Sequence, residues 1–172
     1  MGSAVVYLAH GASGDAASMM PHVRGLGTRG VAAEAVQLPH GTAERAMPVY
    51  LAAAPPGPTT IIGGHSFGGR VASLLAAEHA YAGLVLLSYP LHAPGAPARW
   101  DERTAHWPRI GCPVLLLSGD RDQFARIELL REAVRRLPDA ELVVYPGLRH
   151  GIGPKLDDAL DRITAFVTRV AG

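Results

Sequence analysis

Apolar runs near residues 4–9, 31–38, 59–63, 84–89, 113–118 and 141–145 recur along the chain, and between them apolar side chains return every three or four positions. The short runs read as buried strands and the intervening stretches as amphipathic helices, so the alternation predicts a parallel sheet with crossover helices. Helices are expected over Ala16–Thr28, Thr42–Ala53, Phe67–His79, Phe124–Leu137 and Leu156–Val170. In the last of these, Leu156, Leu160, Ile163, Phe166, Val167 and Val170 fall on one face, while Asp157, Asp158 and Asp161 load the first turns with negative charge. Those acids read as a solvated face favoured near a helix N-terminus, not as a metal site. The one linker-like stretch, 52–58, stops a helix and starts a strand, because its three prolines are poor residues for either interior.

The third apolar run ends in Gly63-Gly64-His65-Ser66-Phe67-Gly68-Gly69-Arg70 and passes directly into a helical pattern. A Gly-x-Ser-x-Gly segment between strand and helix places the serine on a sharp, strained turn, and the residues two before and two after it must be small enough for strand and helix to approach. Gly64 and Gly68 occupy those places. The helix directs its positive end at the serine oxygen, which points to acyl transfer through a covalent serine intermediate.

A serine nucleophile needs a base, an acid that orients the base, and donors for the oxyanion. His150 is the candidate base: it follows the apolar run 141–145 in a loop marked by Pro146, Gly147 and Gly151, where a parallel sheet presents its carboxyl edge. The acid should come from Gly119-Asp120-Arg121-Asp122, which ends the aliphatic run 114–117. Asp122 is favoured, from the Gly-x-x-Asp spacing that such sites use after the penultimate strand, and Asp120 is the alternative. Either aspartate could instead cap the helix expected from Phe124. The oxyanion donors are expected to be the backbone amides of Phe67 and of Ala12, the latter in the turn His10-Gly11-Ala12-Ser13-Gly14 after the first run. His10 could border the substrate or brace this turn by hydrogen bonding. The turn lacks the dinucleotide fingerprint, and no Gly-Lys-Ser/Thr follows it.

Taken together, His10-Gly11, Gly64-His65-Ser66-Phe67-Gly68-Gly69, Gly119-Asp120-Arg121-Asp122 and His150-Gly151 resemble the motifs of the α/β-hydrolase family over nearly the whole chain. The likeness is greatest to its small, lidless, dienelactone-hydrolase-like branch. Enzymes properly called dienelactone hydrolases carry cysteine where this chain has Ser66, so their substrate is not carried over. The resemblance implies a single domain over 1–172, a three-layer αβα sandwich without a lid domain. A full-length member begins with an antiparallel hairpin, but the first run here already leads into the oxyanion turn, so about six strands, all parallel, are expected.

Composition narrows the picture. The chain has 172 residues, 48% of them hydrophobic, which suffices for one core. Sixteen basic against 15 acidic residues leave a formal charge of +1 with no run of either sign, so no nucleic-acid partner is expected. A single cysteine, Cys112, suits a reducing cytoplasm. No apolar stretch is long enough for a membrane span, Val5 to Ala9 lacks the basic lead of a secretory signal, and Val6 stands where myristoylation wants Ser or Thr.

Specificity is expected to reside in the segment from Tyr89 to Trp107, with Leu91, Phe67, Trp100 and Trp107 as candidates for an acyl pocket suited to small esters. The two tryptophans could instead anchor the segment by packing. His22, His40, His79 and His106 show no ligand spacing and read as surface or capping residues. The expectation is a serine esterase or thioesterase using Ser66, Asp122 and His150 without a metal or organic cofactor. The same triad could serve an acyltransferase or perhydrolase, and a noncatalytic binding or scaffold module on the same fold is the alternative from another class.

Overall fold

A computed structural model describes residues 2–172. Six strands, β1 (Val5–Ala9), β2 (Ala32–Val36), β3 (Gly57–His65), β4 (Tyr81–Leu87), β5 (Val114–Gly119) and β6 (Ala140–Tyr145), form one sheet in the order β2-β1-β3-β4-β5-β6. Every pairing is parallel. Five α-helices cover it: α1 (Met20–Gly27), α2 (Ala43–Ala53), α3 (Phe67–Glu78), α4 (Ile127–Val134) and α5 (Leu156–Ala171).

The period of two along each strand divides the core. Ala9, Ile62, Leu84, Leu86, Val114 and Leu116 face α2, α3 and α4, while Val6, Leu8, Ile61, Val85, Leu87, Leu115 and Leu117 face α1 and α5. Because the central strands are covered on both sides, they read as continuous apolar runs in the sequence. This is the three-layer α/β-hydrolase fold, without a separate lid domain.

The strand order places the functional edge. From β1 the chain crosses to β2 on one side, then returns to β3 on the other, so a crevice opens at the carboxyl ends of β1 and β3. Ala9 and Gly64 are register partners there, one residue before His10 and two before Ser66.

Several boundaries differ from the sequence expectation for local reasons. β4 starts at Tyr81 and stops at Leu87, because Ser88 adopts φ 51° and turns the chain out of the sheet. The expected Phe124–Leu137 helix is reduced to α4. The Phe124 amide is held by Asp122 Oδ1 at 2.8 Å and the Arg126 amide by His92 Nε2 at 3.0 Å, with Arg126 itself extended at φ −57°, ψ 124°. At the other end the chain tightens into turns, where Arg135 donates to the Glu132 carbonyl and Arg136 to that of Ala133. The expected Ala16–Thr28 helix opens as a 3-10 turn over Ala16–Met19, capped by the Asp15 side chain, before α1.

One side chain ties the core layers to the sheet centre. The wholly buried Tyr50 hydroxyl, on α2, donates to the Gly63 carbonyl at 2.6 Å, accepts from the Gly63 amide at 3.0 Å and lies 2.9 Å from the Tyr7 carbonyl. It gives these buried backbone groups a side-chain partner. Tyr50→Phe is expected to cost about 1–3 kcal/mol of unfolding free energy, read from urea melts as a lowered midpoint with an unchanged slope.

Candidate active site

Ser66 is the residue between β3 and α3, at φ 48° and ψ −114°. This positive φ is costly for a residue with a Cβ, and the neighbouring backbone holds it in place: the Ser66 amide donates to the Leu87 carbonyl at 2.8 Å and its carbonyl accepts from the Arg70 amide at 3.0 Å. The turn packs directly on β1. A methyl group at Gly64 or Gly68 would collide with the Ala9 carbonyl, which is why both positions lack side chains.

Three side chains from three strand ends meet at this point. Ser66 Oγ lies 2.8 Å from His150 Nε2, and His150 Nδ1 lies 2.8 Å from Asp122 Oδ2. With Asp122 ionised, Nδ1 carries the proton and Nε2 is left as acceptor for the serine hydroxyl. The Asp122 side chain is fully buried, whereas Ser66 and His150 are partly exposed at the edge of the sheet. Asp122 Oδ1 accepts the Phe124 amide, so one carboxylate both caps its turn and holds the histidine. Asp120 does something else: its Oδ1 accepts the Gly147 amide at 2.7 Å and stabilises the turn that leads to His150.

The imidazole of His150 stands between two rings, Phe124 with centroids 4.3 Å apart and His65 at 5.3 Å. Burial, helped by the positive charge of His150 when protonated, pushes His65 down to about 4. His65 is therefore neutral near pH 7 and packs beside the base without competing for charge.

A cavity of about 200 Å³ opens beside Ser66, bounded by Ala12, Phe67, Arg70, Pro90, Arg103 and Phe124. Phe67 is the first residue of α3, so its amide has no partner within the helix. Ala12 belongs to the turn after β1, which is fixed from both sides. His10 Nδ1 donates to the Gly11 carbonyl at 2.7 Å and Nε2 accepts the Leu38 amide at 3.0 Å, a pair of contacts that sets its tautomer. The Gly14 amide also reaches the Gly11 carbonyl, at 3.1 Å, and His40 Nδ1 lies 3.3 Å from the Ala12 carbonyl.

A strained serine after a parallel strand, bonded to a histidine that is in turn bonded to an aspartate, both from later strand ends, is an arrangement with known relatives. Residues 20–162 match the model of a family described as an alpha/beta hydrolase domain. The chain belongs to that family. No curated protein matches the sequence. Among solved structures, the hydrolase is similar to a monoacylglycerol lipase from Paleococcus ferrophilus, at TM-score 0.83 and 17% identity over 99% of this chain and 97% of that one. It is also similar to Est1E from Butyrivibrio proteoclasticus, at TM-score 0.80 and 16% identity over 98% and 88% of the two chains. A thermophilic esterase from Thermogutta terrifontis gives TM-score 0.77 and 17% identity over 100% and 92%. At these identities the structural likeness speaks for the fold.

The pocket expectations need correction. Leu91 and Trp107 are wholly buried in the core beneath α3 and α4, and neither borders the cavity beside Ser66. Trp100 packs at the edge of the same core with the Arg136 guanidinium 4.5 Å from its ring centroid. His10 is 1% exposed and serves the turn, not the cavity wall. Pro90 and Arg103 take the places expected of Leu91 and the tryptophans, because the segment after β4 turns inward at Ser88 and folds its apolar residues under itself. Phe124, expected only as a helix start, and Arg70, which closes the Gly63–Arg70 segment, also form the wall. The spacing Ser66 to Arg70 was the available signal for the second, since four residues on a helix is one turn along the same face.

His106 was expected at the surface, yet it is 7% exposed with Nε2 2.8 Å from Ser73 Oγ. Burial first, then the nearby Arg70 and Arg109 charges, lower it from 6.5 to about 4. The unfolded chain therefore binds a proton at His106 from about pH 6.5 downwards, while the folded chain resists it until about pH 4. Stability contributed by the neutral ring is full above 6.5 and is lost as the pH falls through that window, by up to roughly 3 kcal/mol. Urea unfolding measured from pH 7 to 4 should show this slope, and His106→Gln should make it shallower.

Proposed function

We propose that this chain is a serine hydrolase that cleaves small carboxylic esters or thioesters through an acyl-enzyme on Ser66. The observation that carries this reading is the unbroken relay from Ser66 Oγ through His150 to the buried Asp122. Ser66 Oγ attacks the carbonyl carbon while its proton passes to His150 Nε2. The negative charge that develops on the carbonyl oxygen is met by the Phe67 and Ala12 amides and by the positive end of α3. Asp122 holds Nδ1–H and offsets the imidazolium charge. His150 then returns its proton to the departing alcohol or thiol oxygen or sulfur, which leaves Ser66 acylated. Water, deprotonated by the same nitrogen, attacks the acyl carbon and regenerates the hydroxyl.

The modest cavity favours short or protruding acyl groups, and the partly exposed Ser66 gives water access as acceptor. Cys112 is buried and unpaired, which is compatible with a reducing cytoplasm. Among the described residues no helix is long and apolar enough to cross a membrane.

A fluorescent fluorophosphonate should label the native protein, and 4-nitrophenyl acetate and butyrate should be turned over. Both signals should vanish in Ser66→Ala and His150→Ala, and Asp122→Asn should lower kcat by roughly 10³–10⁴-fold. A folded native protein that neither labels nor hydrolyses would instead support a noncatalytic binding module. Adding a competing alcohol, thiol or peroxide to the assay separates hydrolysis from acyl transfer by the product formed.

A further inference from the structure

Two guanidinium groups stand in the wall of the Ser66 cavity, and no acidic side chain shares it. Arg70 lies one turn along α3 from the serine, with its amide bonded to the Ser66 carbonyl at 3.0 Å. Arg103 reaches the same cavity from the segment after β4. Its Nη1 donates to the Pro90 carbonyl at 2.9 Å, and its own carbonyl accepts from the buried Tyr89 hydroxyl at 2.6 Å. Both arginines also border a second cavity of about 280 Å³, together with His92, Ala93, Ala96, Arg99 and Glu102. Its one carboxylate is already taken, because Glu102 accepts two hydrogen bonds of 2.9 Å from Arg99.

Among the described residues, no carboxylate lies within ion-pair distance of Arg70 or Arg103. The Arg70 Nε is buried and donates to nothing. Buried donors are almost always satisfied, and a charged one without an acceptor is the more unusual. The Arg103 guanidinium is less easily kept charged than an exposed one, owing to burial and then to repulsion by Arg70. An anion between the two guanidinium groups would cancel their repulsion. The planar fork of a guanidinium fits the two oxygens of a carboxylate.

We propose that Arg70 and Arg103 form an anion subsite beside Ser66, so that the ester cleaved there carries a carboxylate. This rests on the serine-hydrolase reading of Ser66. The subsite selects by charge: a carboxylate on the acyl or the alcohol portion docks on the arginine pair while the scissile carbonyl lies against Ser66 and the Phe67 and Ala12 amides. A neutral ester of the same shape leaves the two guanidinium charges of the cavity without an anionic partner.

Two matched substrate pairs test it. Mono-4-nitrophenyl adipate against its methyl ester places the charge on the acyl side, and 4-acetoxybenzoate against methyl 4-acetoxybenzoate places it on the alcohol side. In at least one pair the native protein should favour the acid by roughly tenfold or more in kcat/KM, expressed in KM, with a preference that shrinks as salt is added. Arg70→Gln and Arg103→Gln should each reduce the preference, and Arg70→Lys should keep part of it. No preference in either pair, or a preference unchanged in both glutamine variants, would overturn the subsite. In a protein that labels with fluorophosphonate and cleaves neutral esters, that result removes the subsite and leaves the hydrolase reading intact. If no ester is turned over, calorimetric titration of adipate into the Ser66→Ala protein decides instead: binding that is lost in Ser66→Ala/Arg70→Gln supports the subsite, and absence of binding overturns it.

Discussion

The close approach of the β3–α3 turn to β1 is the constraint on which the rest of the site depends. Gly64 and Gly68 bring two backbone segments into contact with the Ala9 carbonyl, and a methyl at Gly63 would meet the Val85 carbonyl of β4 in the same way. With strands and helix this near, the chain can turn from β3 into α3 only through a residue with positive φ, and Ser66 is that residue. The conformational cost of such a residue is of order 1–3 kcal/mol and persists because surrounding bonds over-determine it. Here the Leu87 carbonyl holds the Ser66 amide, and the first turn of α3 holds its carbonyl. The same contact brings Phe67, the first residue of α3, to the cavity that Ala12 also borders.

That dependence explains why the centre of the site was legible in the sequence. Ser66, Asp122 and His150 each follow an apolar run that reads as a strand, and a parallel sheet delivers all such positions to one edge. Their meeting needed no knowledge of loop conformation beyond the chain order. Asp120 and Asp122 were harder to separate, since both lie past β5 and both can accept a turn amide. The structure gives each its own turn, with Gly147 bonded to Asp120, and Phe124 together with His150 bonded to Asp122.

The cavity wall was far less legible, and the reason is physical. Whether Leu91, Trp100 or Trp107 faces the site depends on the path of the segment after β4, which has no regular period to read. Its path is set by long-range contacts: Tyr89 bonds the Arg103 carbonyl, the His92 amide bonds the Phe124 carbonyl, and Arg136 on the far side of α4 bonds Thr104. Trp107 packs edge-on against Tyr89 with centroids 5.0 Å apart, so the largest apolar side chain of the segment is spent inward on the core. Residues read as a pocket thus became its foundation, and Pro90 with Arg103 was left to form the surface.

This division of labour also accounts for the charge of the cavity. Arg70 could have been satisfied from behind, where Ser73, Tyr89 and His106 lie, but Ser73 Oγ is directed to the Arg70 carbonyl at 2.7 Å and to His106 Nε2 at 2.8 Å. His106 is held neutral by burial and by Arg70 itself, so it adds no further cation, and Glu102 of the segment after β4 is paired with Arg99. The core below the cavity therefore supplies packing and position but no counter-charge. A fixed positive potential beside the serine favours the oxyanion that forms on acylation. The same potential opposes the imidazolium on His150, which the fully buried Asp122 counters from the other side. On the proposed reading, an anionic substrate group changes this balance, because it neutralises the arginine pair at the moment of binding and leaves the Phe67 and Ala12 amides as the proposed donors to the reacting oxygen. On that reading, discrimination by charge and stabilisation of the transition state are assigned to separate groups: the first to side chains from α3 and the segment after β4, the second to the backbone that the glycines bring together.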